Sequence, residues 1–121
     1  MTTKVSVFLT FKHTIDWFKK TRLQYESEIR QKSSEVQNLK ASGIKDSIRL
    51  AHLDLGNIHN KYGFAGSALN MWEKSFEASN SDDDQLKISC LIMKTAFASN
   101  NIFYLSRFCE KAGYFAGHSD P

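Results

Sequence analysis

Four groups of residues have the chemistry for a site: the pair His52 and His59, the run Asp82-Asp83-Asp84, the thiols Cys90 and Cys109, and the serines. Histidines seven apart share a helix face and offer two imidazole nitrogens to a metal. A zinc site needs three or four ligands, and no Cys, Asp or Glu completes the set at helical spacing, Asp54 lying on a different face. The pair therefore reads as satisfied or solvent-facing histidines. The aspartates lack the alternating acids, central glycine and distal Glu of a calcium loop. They follow Ser79-Asn80-Ser81 and precede a helix starting near Gln85, where carboxylates cap free N–H groups and oppose the positive end of the macrodipole. No serine stands in a Gly-x-Ser-x-Gly turn, no glycine-rich loop cradles a phosphate, and no carboxylate pair can be nominated. The sequence points to no catalytic residue, cofactor or metal ligand, and so to a protein that is not an enzyme.

Composition narrows the class further. The 121 residues make one domain, enough for roughly five helices. One proline and six glycines are too few for a β-sandwich with its frequent tight turns. The net charge of +3 is unevenly placed: residues 12–49 carry nine Lys/Arg against five Asp/Glu, and residues 50–85 carry two against six. That polarity suggests charged partner surfaces. Nucleic acid is disfavoured, because Glu26, Glu28 and Glu35 intersperse Lys12, Lys19, Lys20, Arg22, Arg30 and Lys32 and would repel phosphates. No apolar run of about 18 residues exists to span a membrane. Val5 to Phe11 is short for a signal segment and lacks a cleavage site. Cys90 and Cys109 fall inside helical patterns and read as buried free thiols of a reducing compartment, cytoplasmic or nuclear.

Five helices must carry these residues. Phe11, Ile15, Phe18, Tyr25, Ile29, Val36 and Leu39 form a narrow seam of period close to 3.5, with Arg22 and Lys32 standing in it. Such a seam suits one partner helix, either within the chain or on another subunit. Gly43 reads as the helix stop. A second helix runs from Ile44 to about Tyr62, its apolar arc widened by Leu50 and Leu53, and a third from about Ala65 to Ala78. A fourth spans about Gln85 to Ser99, and a turn at Asn100-Asn101 leads to a fifth, ending near Ala112, with Ile102, Leu105, Phe108 and Cys109 inward. Most aromatics fall on core positions; Phe8, Trp17 and Phe64 lie off the main seams and, with Arg22 and Lys32, are the candidate partner contacts.

The second and third helices carry Leu55-Gly56, Gly63, Ala68 and Trp72 at the spacing of a tetratricopeptide-type hairpin. Gly56 allows a close helix approach, with Ala68 as the opposing small surface and Trp72 filling the space a turn further on. Gly63 ends the first arm in a left-handed conformation cheap for glycine. The two hairpins recur at 34 to 36 residues, although the second lacks the Gly and Ala marks. The fold class is thus all-α, stacked helical hairpins in a right-handed superhelix preceded by a long charged helix. Residues 1–11 form an N-terminal extension, 12–112 the helical-repeat domain and 113–121 a flexible tail in which Tyr114 and Phe115 cover the open end. Two hairpins are few for an array, so self-association or partner dependence is expected.

Ile44-Lys45-Asp46-Ser47-Ile48-Arg49, Asp54-Leu55-Gly56, Gly63 with Ser67-Ala68-Leu69, and Phe108-Cys109-Glu110-Lys111-Ala112 together resemble a known family. It is the N-terminal helical-repeat region of the first subunit of the constitutive-photomorphogenesis (COP-nine) signalosome, related to the proteasome-lid regulatory-particle non-ATPase subunit seven. The resemblance implies a scaffold whose partners are other signalosome or lid-type subunits. In that family's complex a different, zinc-bearing subunit removes the ubiquitin-like modifier from cullins. The family's C-terminal PCI winged-helix module is not in this sequence, which reads as an excised domain or a short variant. Other readings are a stand-alone adaptor for a peptide in a concave groove and a lid-subunit fragment.

Overall fold

A computed structural model describes the backbone of residues 2–119, and the side chains of residues 3–111. Five helices follow in order: α1 (Thr2–Ser42), α2 (Lys45–Lys61), α3 (Ala65–Ala78), α4 (Asp82–Ala98) and α5 (Ile102–Ser119). No strand occurs among the described residues. Each helix packs on its neighbour in sequence, α2 most extensively on α3, as a stack of hairpins requires.

The turns show how each hairpin closes. At the end of α2, Gly63 takes φ +88°, the Phe64 N–H donates to the His59 carbonyl at 2.9 Å, and the Gly63 N–H to that of Asn60 at 3.1 Å. These are the paired bonds of a Schellman ending, which satisfy carbonyls that the helix leaves free. The α4–α5 turn repeats the arrangement with Asn100 at φ 58°, Asn101 donating to Ala96 at 2.8 Å and Asn100 to Phe97 at 3.3 Å. The Asn101 side chain then accepts from the Tyr104 N–H at 3.2 Å and caps α5. A Cβ on Gly63 would meet nothing within 4 Å, so only backbone strain opposes a side chain there. Gly63→Ala should therefore cost about 1 kcal/mol, read as a lower urea midpoint with an unchanged slope.

The core lies between α3, α4 and α5: Leu69, Trp72 and Phe76 meet Ile88, Ile92, Ala96 and Phe108. Phe76 and Phe108 cross edge to face at 5.3 Å. Gln85 reaches back from α4 to the carbonyls of Phe76 (3.4 Å) and Ser79 (3.5 Å), closing the end of α3. The hairpin contact between α2 and α3 departs from the sequence reading. The nearest atoms to a Cβ built on Gly56 belong to the Trp72 indole, all within 3.0 Å, so the glycine makes room for the tryptophan rather than for Ala68. The indole N–H also donates to the Leu53 carbonyl at 3.3 Å, and Ser75 Oγ donates to that of Arg49 at 2.9 Å. Ala68 is fully buried, but in the α3–α5 core.

Other expectations change as well. α1 begins at Thr2, so residues 2–11 continue the first helix without a break. α4 begins at Asp82: Ser81 is its cap, accepting from the Asp84 N–H at 3.5 Å, and the aspartates occupy the first turn, where they still oppose the dipole. α5 runs to Ser119 rather than ending near Ala112; the side chains of Tyr114 and Phe115 lie outside the described residues. Cys90 and Cys109 are both exposed, not buried. Leu50, Phe97, Ile102 and Phe103 are exposed too, because apolar residues flank the inward arcs of short helices that have only one or two neighbours.

Candidate protein-interaction surface

α1 and α2 run antiparallel along the α1 seam. Tyr25 lies beside the end of α2, where its hydroxyl hydrogen-bonds His59 Nδ1 at 2.9 Å, and its ring stacks on Phe64 at 4.6 Å and meets Tyr62 edge-on at 5.2 Å. One turn along, Glu28 faces Lys61 at 3.5 Å; further on, Lys32 reaches Asp54 at 3.2 Å as well as Glu35 on its own helix at 3.1 Å. Val36 is buried at the far end. The covered seam thus spans Tyr25 to Leu39.

Towards its N-terminus α1 outruns α2, and the apolar residues there have no cover. Phe8, Phe11, Trp17 and Phe18 are 57–65% exposed. Phe11 and Phe18 lie on the seam read as suiting a partner helix within the chain or on another subunit; no helix of this chain covers them, because α2 has already ended. Phe8, expected off the seam, continues it at the same spacing, three residues before Phe11. Where the two regions meet, Trp17, Phe18, Tyr25, Tyr62 and Phe64 surround a cavity of about 540 Å³, with the exposed pair Arg22–Glu26 (3.1 Å) on its rim. The Tyr62 hydroxyl is buried without a hydrogen-bond partner.

The residues singled out from sequence thus separate into three sets. Leu55, Gly56, Ala68 and Trp72 are buried, and Gly63 makes the turn. Trp17, Arg22 and Phe64 come together at the cavity, with Phe8 about three turns away on the same helix. Lys32 is held between α1 and α2, and its ammonium pKa is raised, chiefly by its bond to Glu35, with Asp54 adding to it against the opposing effect of burial. Tyr25 and Tyr62 were missed: Tyr25 read as an ordinary seam residue, and only the antiparallel pairing brings residue 62 beside it.

The histidines do not converge on a metal site, and no cluster of three His, Cys, Asp or Glu able to hold a metal occurs among the described residues. His52 is buried with Nδ1 unpartnered, contrary to the satisfied or solvent-facing reading. Its pKa is lowered from 6.5 by burial first, then by Lys40 and Lys74; burial lowers that of His59. Folding therefore favours the neutral imidazoles. Above the unfolded value near 6.5 neither state binds these protons and stability is full; as pH falls below it, the unfolded chain takes protons that the folded one resists. Urea midpoints should drop between pH 7.5 and 5.5, and the double variant His52→Gln/His59→Gln should flatten that dependence.

No helix among the described residues is long and apolar enough to cross a membrane. No curated protein matches the chain. The family model described as 26S proteasome subunit RPN7 matches residues 15–118, from within the exposed part of α1 through nearly all of α5. With a match across most of the sequence and a stack of five helices to carry it, the chain belongs to the RPN7 family.

Proposed function

We propose that this chain is a protein–protein interaction scaffold that joins subunits of a proteasome-lid-type assembly and carries no catalysis of its own. The observation that carries the reading is the exposed aromatic strip of α1 in a chain of the RPN7 family: apolar surface of this extent without a covering helix marks an interaction site. A second exposed apolar area, Phe97, Ile102 and Phe103, lies at the α4–α5 turn and is suited to further subunit contact or self-association.

Within that class we favour the signalosome form, in which the assembled complex acts on modified cullins through another subunit. Its support is the string Ile44 to Arg49 followed by Asp54-Leu55-Gly56. Arg49 of that string bridges α2 to the start of α4, lying 3.0 Å from Asp46 and 3.9 Å from Asp84. Chemical crosslinking of the tagged chain in cell extract, read by mass spectrometry, tests both levels. Crosslinks to signalosome subunits support the finer reading, crosslinks to lid subunits alone replace it with the lid form, and crosslinks to neither overturn the scaffold.

A further inference from the structure

The seam of α1 repeats with steps of three and four over its whole length: Phe8, Phe11, Ile15, Phe18, Arg22, Tyr25, Ile29, Lys32, Val36 and Leu39. α2 covers it from Leu39 to Tyr25 and then turns away at Gly63. The uncovered part, residues 2–24, extends about 35 Å at the rise of an α-helix. Its charge differs from that of the covered part. Residues 2–24 hold Lys4, Lys12, Lys19, Lys20 and Arg22 against Asp16 alone, whereas Glu26, Glu28 and Glu35 all lie in the covered part. Lys12 and Lys19 directly follow Phe11 and Phe18, which places both on one flank of the seam; threonines 14 and 21 occupy the other.

We infer that the free half of α1 docks an amphipathic helix of a partner protein whose apolar face is bordered by Asp or Glu, laid end to end with α2 along the same seam. The inference rests on the scaffold reading and names the chemistry of its partner. A helix in that place buries Phe8, Phe11 and Phe18 by the same packing with which α2 buries Val36, and its acids meet Lys12 and Lys19. A second copy of the chain fits poorly. Antiparallel pairing sets Lys12 against Lys19, and parallel pairing sets Arg22 against Arg22, so either orientation opposes like charges. The family match begins at residue 15, so Phe8, Phe11 and Lys12 lie before the matched region and Phe18 and Lys19 within it.

Binding of two synthetic helices to the full chain tests the inference. Both carry Leu along an apolar seam of about three heptads; one bears Glu at every flanking position, the other Lys. The acidic helix should bind about tenfold more tightly than the basic one, and more weakly as salt rises. Lys12→Glu/Lys19→Glu should reverse the preference, and Phe11→Ser/Phe18→Ser should abolish binding. All four side chains are exposed, so an unchanged urea midpoint verifies the fold of each variant. Equal binding of both helices, binding of neither, or capture of the wild type by phosphatidylserine vesicles in place of the acidic helix overturns the inference. Undiminished crosslinking of Phe11→Ser/Phe18→Ser to assembly subunits in extract also overturns it while leaving the scaffold standing; absence of those crosslinks from the wild type removes the scaffold itself.

Discussion

Trp72→Ala should remove about 3–5 kcal/mol of stability, the range for deleting a buried tryptophan side chain without collapse of the space it filled. Trp72 is 1% exposed, lies against Gly56 of α2 and belongs to the core shared with α4 and α5. Its loss therefore loosens both faces of α3 at once. Against a domain stability of about 5–15 kcal/mol this is a large share, and thermal and urea transitions should both fall well below those of the wild type. Trp72→Phe should lose less, because a ring remains while the bond to the Leu53 carbonyl goes. A loss below about 1 kcal/mol for the alanine variant would show that the indole does not fill the hairpin.

Gly56→Ala is expected to destabilise by about 1–3 kcal/mol, even though alanine is the better helix former by about 1 kcal/mol. The new methyl would fall on the Trp72 ring, which is enclosed and cannot swing aside. The two sites should be strongly coupled. In a Trp72→Ala background the obstruction is gone, so Gly56→Ala should turn neutral or stabilising by up to about 1 kcal/mol. A double-mutant cycle of urea unfolding measures this reversal of sign. Additive effects would mean that the close approach at Gly56 involves some other group.

Much of the helical stack was legible in local pattern. Gly43, Gly63 and Asn100 adopt positive φ at helix ends where turn residues stood. The apolar spacing of the third helix identified Ala68, Leu69, Trp72 and Phe76, all buried. Local pattern misled, or left the outcome open, where a side chain's fate depends on a distant element. Phe11 and Phe18 have the same spacing as Val36, yet they are exposed because α2 ends beside Tyr25. Cys90 and Cys109 are apolar-like residues in helices whose buried arc is narrower than their apolar arc. Ile102 and Phe103 sit at the start of α5, beyond the reach of the α3–α4 core.

The aromatic cavity illustrates the same division. Trp17, Arg22 and Phe64 were separately marked as contacts, but nothing local ties residue 17 to residue 64. Only the antiparallel return of α2 along α1 brings Tyr25 against Tyr62 and Phe64 and opens the space between them.

By itself the order of residues determined helix type, turn positions and the hairpin repeat, because backbone preferences and the 3.6-residue period act within a few neighbours. Tertiary structure alone decided that Trp72, not Ala68, fills the gap at Gly56, and that the α1 seam is half covered and half bare. Burial depends on where other helices begin and end in space, and a periodic pattern carries no record of its partner's length.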